Sequence, residues 1–316
     1  MNIIEKTLQG FDSFQQRHRK ISFFYAVIKK YGEDEAGYQA ALMAYYAFLS
    51  LFPLLLVLTT VVKMFLHSDS DLRRSIIDGA TQYFPLIGND LEKSVHGVGG
   101  TGLAIVIGVL FSLYGARGVA DVFRSVVNHV WEVPYVRRIG FPWSLLRSLR
   151  MIIVGGVGLL AAPLISGYAA SAGHGPLFWV ASAGITLAIL FGVFLYLIHT
   201  SLPSKTTFQN MWPSALLAAI GLQILQGVGV LLVKNQLKHL DSLYGTFAVV
   251  LGLLFWLYLQ AQVIVYALEA GTVRALKLYP RSFDARKRPS EADNMAYGLY
   301  SRRSQFHDDP AAPDTK

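Results

Sequence analysis

The chain has 316 residues, and its 28 lysines and arginines against 20 aspartates and glutamates give a formal net charge of +8. Apolar residues make up 53% of the chain and charged residues only 15%, whereas a soluble domain carries roughly 25% charged residues. Because the sequence contains no cysteine, it excludes disulfides, thiol catalysis, cysteine zinc sites and iron–sulfur clusters. This composition favours a membrane protein.

The N-terminal segment, residues 1–39, is interpreted as an amphipathic segment on the cytoplasmic side. Residues 40–62 follow it without a single charge, and their length matches the roughly 20 residues that a helix needs to cross a bilayer. This first span contains Tyr45, Tyr46 and Pro53, where a plain anchor would carry leucine. Polar residues at membrane depth indicate a helix that is packed in a bundle.

Five further apolar stretches are long enough to span a membrane. They run over Val98–Ala116, Leu149–Tyr168, Leu177–Ile198, Met211–Val233 and Thr246–Leu268. They lack the period-two alternation of barrel strands, so we predict an α-helix for each. The predicted fold class is an all-α polytopic membrane protein, with six transmembrane helices in a domain that covers residues 40–270.

Two connections between the predicted spans carry amphipathic helices of their own. In the first connection, apolar residues recur at helical spacing between Leu72 and Phe84. In the second, an apolar stripe runs from Val119 to Trp131 and ends before Pro134. We predict two interfacial helices, which lie on the membrane surface or pack beneath the bundle. A gate or a lipid-contacting edge is the alternative for the second helix.

Lysine and arginine are distributed unevenly along the chain. The N-terminal segment, the second and fourth connections and the tail hold 22 of them, and the first, third and fifth connections hold five. The positive-inside rule then predicts that both termini lie in the cytoplasm. Residues 271–316 lack an apolar periodic face, so we predict a disordered cytoplasmic tail. Anionic lipid head groups explain the net charge without a nucleic-acid partner.

Two sets of polar residues are candidate functional groups. The first is a neutral hydrogen-bonding set within the spans, and its members are candidate lining residues: Tyr45, Tyr46, Gln223, Tyr258 and Gln262. The second set lies toward the cytoplasmic ends of the spans, where its members would contact head groups or form a latch: Arg117, Asp121, Arg124, Asn128 and Glu269. Arg117 and Asp121 are four residues apart and suited to an ion pair. An ion pair between Arg117 and Glu269 that acts as a cytoplasmic latch is the functional hypothesis, and a purely structural pair or separate interfacial charges are its alternative.

Four segments of the chain carry a resemblance to a known family. They are AALMAYYAFLSLFPLLLVL, LYGARGVADVFRSVVNHVWEV, LIHTSLPSKTTFQNMWPSALLAA and LYGTFAVVLGLLFWLYLQAQVIVYALEAGTVRA. In this order and at these intervals they resemble the YihY/BrkB family, over about residues 25–278. The resemblance implies a six-helix protein of the bacterial inner membrane with both termini in the cytoplasm. It also implies an association with envelope integrity and serum resistance, with lipid or lipopolysaccharide-precursor transport suggested for some members.

The residues favour no catalytic site. The eight histidines form no H-x-H, H-E-x-x-H or H-x-x-E-H pattern, and neither G-x-S-x-G nor a phosphate-binding Gly-Lys-Ser/Thr loop occurs. We therefore predict no enzymatic activity, no cofactor and no metal, and we reject the ribonuclease label that travels with the family name. The leading hypothesis is transport or flipping of a lipid or other amphiphile, with membrane lipids as partners. The alternative is a non-transporting scaffold for an envelope complex.

Overall fold

The structure is a computed structural model, and it describes residues 10, 12–65, 102–171, 176–203, 206–285 and 288–303. Within these ranges there are α-helices and no β-strand, which confirms the all-α class. A short 3-10 helix, Tyr135–Arg137, lies between the third and fourth helices. Seven α-helices of 13 or more residues follow in chain order: α1 Arg19–Glu33, α2 Ala36–Phe65, α3 Gly102–Val130, α4 Trp143–Ser171, α5 Pro176–Ser201, α6 Phe208–Ala275 and α7 Glu291–Arg303.

The helix α6 folds back on itself. Three close contacts join its two ends, namely Ser214 with Gly271, Gly221 with Val263, and Gly229 with Trp256. Since one partner advances along the chain while the other retreats, the two ends run antiparallel and the chain reverses direction within α6. We call Phe208–Gly229 the first arm and Val250–Ala275 the second arm.

Three stretches of the described chain are long and apolar enough to cross a membrane, and two of them are the arms of α6. The third is Val180–Ser201 within α5. These stretches overlap the last three predicted spans, so a membrane protein is the class that the helices support. The other three predicted spans are helical wherever they are described, within α2, α3 and α4. Six spans and the division into three domains stay predictions.

The helices α2 and α3 pack closely because glycine occupies α3 at the points of contact. Gly115 lies against Ser50, and Gly118 lies against the ring of Tyr46, so a Cβ atom at either glycine would overlap its neighbour. Small residues permit this close approach of helix backbones in a bilayer.

The second connection contains no separate surface helix, because α3 continues without a break to Val130. The predicted apolar stripe is the C-terminal half of α3. Val126, Val127 and Val130 of that stripe are fully buried in the main hydrophobic core. The segment therefore packs in the main hydrophobic core, and the structure does not confirm it as an interfacial helix. The amphipathic helix predicted in the first connection lies outside the described residues.

The segment after α6 is folded where the structure describes it, in contrast to the disorder that the sequence predicts. We call α1, residues 276–285 and α7 together the terminal layer. Ala26 and Val27 of α1 form a small core with Leu278 and Ala296. This core is small, and ion pairs of Arg281 with Glu33 and Asp293 add charged contacts to it. Residues 304–316 of the predicted tail lie outside the described residues.

Candidate functional site: a buried charge cluster

Lys30 is fully buried, although its side chain carries an ammonium group. It lies on the face of α1 that also buries Ser22 and Ala26. Its Nζ donates a hydrogen bond to Asp34 and lies 3.0 Å from Glu132 Oε1 and 3.2 Å from Glu269 Oε2. A buried ammonium is tolerated only with such partners, because removing an ion from water costs several kcal/mol.

The three carboxylates come from places where helices end. Asp34 follows α1 directly, and the chain then turns at Glu35, whose φ is 51°. Glu132 lies two residues after the end of α3 and has a φ of 54°, a left-handed conformation that often follows the end of a helix. Glu269 lies in the last two turns of α6. One ammonium therefore joins the ends of α1, α3 and α6.

Arg303 of α7 brings a second cation to this site. Its Nη1 lies 2.9 Å from Asp34 Oδ1 and 3.2 Å from Glu132 Oε2. We call Lys30, Asp34, Glu132, Glu269 and Arg303 the Lys30 cluster. Three carboxyl groups thus meet two cations, so the Lys30 cluster becomes neutral when one carboxyl group keeps its proton.

The protonation of this site follows from burial and from its charges. Burial lowers the pKa of Lys30, but the carboxylates of Glu269, Asp34 and Glu132 outweigh burial and hold that pKa above its usual range. Burial raises the pKa of Glu132 to about 7, against the opposing effect of Lys30. Beside the cluster, burial and then the charge of Arg303 lower the pKa of His129 to about 4. Near neutral pH, Lys30 is therefore charged, His129 is neutral and Glu132 exchanges a proton.

A second buried group of charges in the terminal layer is centred on Arg281 and Asp293. Arg281 Nε lies 2.6 Å from Asp293 Oδ1, and its Nη2 lies 2.9 and 2.8 Å from the two carboxylate oxygens of Glu33. Asp293 also accepts hydrogen bonds from Lys29 Nζ and from the amide of Ser282, both at 2.8 Å. Burial opposes the ionisation of Asp293, but these donors hold its pKa well below its usual range. Since Glu33 directly precedes Asp34, the two charged groups are adjacent in the chain.

The predicted lining residues fall into three separate sets. Gln262 accepts a hydrogen bond from Tyr31 and donates one to Tyr258. The rings of Tyr45 and Tyr46 contact each other edge to face, with Tyr45 52% exposed. Gln223 Nε2 donates to the Ala183 carbonyl on α5, at 3.0 Å. Within the described part of the chain, no hydrogen bond joins these sets into one lining.

Four of the predicted head-group residues lie along α3. Arg117 Nε lies 3.4 Å from Asp121, so the pair expected from their spacing is present. Arg124 contacts Asp121 at 3.2 Å and donates to the Ser144 carbonyl at 2.9 Å. Asn128 Nδ2 donates to the carbonyl of Ser201 at 3.2 Å. These contacts connect α3 to the start of α4 and the end of α5.

The expected ion pair between Arg117 and Glu269 is wrong for this structure. Glu269 pairs with Lys30, while Arg117 is 52% exposed and pairs with Asp121. The physical reason is that Lys30 is buried against α6 and lies within reach of a carboxylate that needs a cation. The sequence carried a signal for this, because Lys30 continues the four-residue spacing of Ser22 and Ala26 on the inner face of α1.

The Lys30 cluster contains three acidic side chains that surround one ammonium group. Among the described residues, no group of three or more His, Asp or Glu side chains is arranged to hold a metal ion. The ammonium of Lys30 occupies the place where the three carboxyl groups converge. The arrangement is suited to holding helix ends together and to binding one proton.

Comparison with known proteins gives a consistent family. The model of the family "Virulence factor BrkB" matches residues 27–292. A UPF0761 membrane protein of Chlorobium phaeobacteroides is 26% identical over 275 residues, which cover 83% of this chain and 60% of that protein. A UPF0761 membrane protein of Alcanivorax borkumensis is 24% identical, with 82% and 61% covered. The chain thus spans about three fifths of the length of these two relatives.

One relative carries an enzyme-like name. The "Putative ribonuclease-like protein YfkH" of Bacillus subtilis is 24% identical over 277 residues, which cover 81% of this chain and 95% of that protein. No solved structure matches the chain. Because the family model matches far more than half of the sequence, the chain belongs to the BrkB virulence factor family of membrane proteins.

Proposed function

We propose that this BrkB-family protein moves an anionic lipid or a related amphiphile across the bacterial inner membrane, as part of maintaining the cell envelope. Both of its termini lie in the cytoplasm in this proposal, and the Lys30 cluster closes the cytoplasmic end of the path. No catalytic step, cofactor or nucleic acid is part of it.

The observation that carries the proposal is the position of Lys30 between the ends of α1, α3 and α6. A buried ion pair is weak evidence for stability, because well-packed apolar residues in its place are often as stable. Its best attested use is to specify one arrangement of helices over another. A charge cluster that joins helix ends on one side of a bundle therefore suits a closed state that can open.

The class of substrate follows from the charges on the same side of the bundle. Arg117 is half exposed on α3, directly after the second predicted span ends. Exposed arginines at a membrane boundary attract the phosphates of anionic lipids. A lipid substrate also fits the uncharged polar residues Tyr258 and Gln262 in the second arm. An uncharged hydrogen-bonding surface suits a polar head group that passes without a coupled ion.

The test is the movement of fluorescent phosphatidylglycerol between the leaflets of vesicles that contain the purified protein, compared with vesicles without protein. We expect the protein to accelerate this movement. A variant with Lys30→Met and Glu269→Gln removes the charges that join α1 to α6, so we expect lipid movement at least threefold faster than in the wild type. If the wild type moves no lipid, the transport proposal is wrong. An unchanged rate in the variant refutes only the proposal that the Lys30 cluster closes the path.

Arg117→Ala tests the head-group contact. Arg124→Ala is less informative, because Arg124 also connects α3 to the Ser144 carbonyl of α4 and its loss would disturb the fold. We expect Arg117→Ala to slow the movement of phosphatidylglycerol without loss of folded protein. Arg150→Ala, which removes an exposed arginine from α4, is the matched control and should leave the rate unchanged.

A second candidate function, a scaffold for an envelope complex, is favoured by the folded terminal layer. Its α7 helix presents Met295, which is 46% exposed, to the outside. Deleting the tail would not separate the two functions, because Arg281 and Arg303 are partners of buried carboxylates. Met295→Ser leaves those pairs intact. Loss of a co-purified partner in this variant, with unchanged lipid movement, would favour the scaffold.

A further inference from the structure

A groove lies between α1 and the ends of the two arms of α6, outside the Lys30 cluster. Its volume is about 550 Å³, which is within the range of small-molecule sites. Phe23 of α1 and Trp212 and Leu216 of the first arm are part of its apolar wall. Arg19 and Lys20 of α1 and Arg274 of the second arm add three cations. No acidic residue is among the described residues that line it.

The three cations at the groove lack the carboxylate partners that four cations of the terminal layer have. Lys29, Lys30, Arg281 and Arg303 all pair with carboxylates, but among the described residues no ion pair involves Arg19, Lys20 or Arg274. Arg19 Nη2 donates to the hydroxyl of Tyr279 at 3.3 Å. The guanidinium of Arg274 lies 5.0 Å from the centre of the Trp212 ring. Neutral neighbours thus position two guanidinium groups beside the groove and leave their charge uncompensated.

The groove is open toward the apolar surface of the bundle. Leu217, which is 42% exposed, is part of its wall and begins a row of exposed apolar side chains on the first arm that includes Ile220 and Ile224. Because the first arm is a candidate membrane span, such a row faces lipid. An acyl chain can therefore pass from the groove into the bilayer without crossing a polar surface.

The helix α1 adds a second indication that the groove lies at a membrane boundary. Ile21, Phe24 and Ile28 form an exposed apolar stripe at spacings of three and four residues, with Phe24 67% exposed. Basic residues flank this stripe, which is the pattern of a helix that lies in the membrane interface. Phe24 itself belongs to the groove wall. The same helix thus contacts the groove on one side and suits the lipid interface on the other.

We propose that this groove binds an anionic phospholipid from the leaflet at this end of the spans. The phosphate lies against Arg19, Lys20 and Arg274, and the first part of an acyl chain lies along Leu216 and Leu217. The positive charge of the groove favours an anionic ligand. The opening to the bilayer favours a lipid over a soluble phosphate. The proposal deepens the proposed function, on which it rests for the choice of an amphiphile, and it assigns a binding site apart from the Lys30 cluster.

The test is a binding measurement that does not require transport. The purified full-length protein is titrated with phosphatidylglycerol, phosphatidylcholine or glycerol phosphate, and native mass spectrometry measures the bound fraction. We expect phosphatidylglycerol to bind most tightly. Arg19→Gln with Arg274→Gln should weaken its binding roughly tenfold, since each substitution removes a charge-assisted hydrogen bond to phosphate. Leu216→Trp fills the groove without changing its charge, so it should weaken the binding of both phosphatidylglycerol and phosphatidylcholine.

Arg150→Gln is the matched control, because it removes an exposed arginine from α4, outside the groove. The proposal is overturned if this control weakens the binding of phosphatidylglycerol as much as the double variant does. Equal binding of phosphatidylcholine, or binding of glycerol phosphate as tight as that of the lipid, also overturns it. Failure of the wild type to move lipid, with selective binding intact, would refute transport and leave the groove assigned.

Discussion

Lys30 and Glu269 form a buried ion pair, with Nζ and Oε2 3.2 Å apart, between α1 and the second arm of α6. Both side chains are fully buried. This pair joins the terminal layer to the bundle. Its partners Asp34, Glu132 and Arg303 extend the connection to the ends of α3 and α7.

Removing the charge of Lys30 alone should destabilise the protein strongly. Lys30→Met leaves the three carboxyl groups with Arg303 as their remaining cation, and such unpaired buried charge costs about 3–5 kcal/mol. We expect a clear fall in the thermal unfolding temperature of the purified protein in detergent. Adding Glu269→Gln to Lys30→Met should restore a large part of that loss, because the second substitution removes a carboxylate that has lost its partner.

Lys20→Met is the matched control for this prediction. Lys20 lies on the same helix, is exposed and makes no ion pair with a described residue. Surface substitutions of this kind usually change stability by less than about 0.5 kcal/mol. If Lys30→Met unfolds at the same temperature as Lys20→Met, the Lys30 cluster does not connect the terminal layer to the bundle energetically.

Glu132 should make stability depend on pH. Its pKa is raised from 4.5 to about 7 in the folded protein, so the native state holds more protons than the unfolded state between these values. The contribution of Glu132 to the free energy of unfolding therefore falls by about 3 kcal/mol as the pH rises from 4.5 to 7. Above pH 7 this contribution is constant. We expect the unfolding temperature of Glu132→Gln, relative to the wild type, to increase over this interval. A constant difference would contradict the raised pKa.

His129 should have the opposite dependence. Its pKa is lowered from 6.5 to about 4, so the unfolded state holds more protons between these values and stability rises with pH from 4 to 6.5. The imidazole faces Asp34, Arg303, Lys30 and Arg138. We expect the unfolding temperature of His129→Gln, relative to the wild type, to decrease as the pH rises through this interval. Comparing both variants between pH 4.5 and 6.5 therefore separates the two groups.

Much of the fold could be predicted because it depends on local properties of the sequence. The predicted span Leu177–Ile198 differs from α5, Pro176–Ser201, by a few residues, since length and apolarity define a span without knowledge of its neighbours. The prediction that the apolar stripe from Val119 to Trp131 lies on a helix was also correct. Whether that helix lies on a membrane surface or within a core depends on what covers it, and helical periodicity is the same in both cases.

The partners of charged residues could not be predicted in the same way. Lys30 and Glu269 are distant in the chain, and a charge count assigns Lys30 to the solvated positive side of the membrane. The four-residue spacing with Ser22 and Ala26 indicates only that Lys30 lies on the inner face of α1. That Glu269 is its partner depends on the packing of α1 against α6, which no local pattern contains. The terminal layer was missed for a related reason, because Arg281 and Asp293 stabilise it in place of an apolar stripe.

The helix α7 did have a local signal, and that signal gives a further prediction. The Ser290 amide donates to Asp293 Oδ2 at 3.0 Å, and the Asp293 amide donates to Ser290 Oγ at 3.1 Å, which is a capping box. Ser290→Ala should cost about 1 kcal/mol of helix stability. We expect faster amide hydrogen exchange in α7. Asn294→Ala, at an exposed position of the same helix, should leave that exchange unchanged.

The contact between Gly118 of α3 and Tyr46 of α2 gives the last prediction, on the packing of the bundle. A Cβ atom at Gly118 would overlap the ring of Tyr46, so Gly118→Ala must separate the two helices or displace the ring. Overpacking of this kind costs about 1–3 kcal/mol, and we expect a lower unfolding temperature. Gly156→Ala in α4 is the control, because no atom of the described residues lies within 4 Å of a Cβ atom there. Alanine is the better helix former by about 1 kcal/mol, so this control should be neutral or stabilising. Adding Tyr46→Ala to Gly118→Ala should recover part of the loss, and equal destabilisation by the two glycine substitutions would contradict the close packing of α2 on α3.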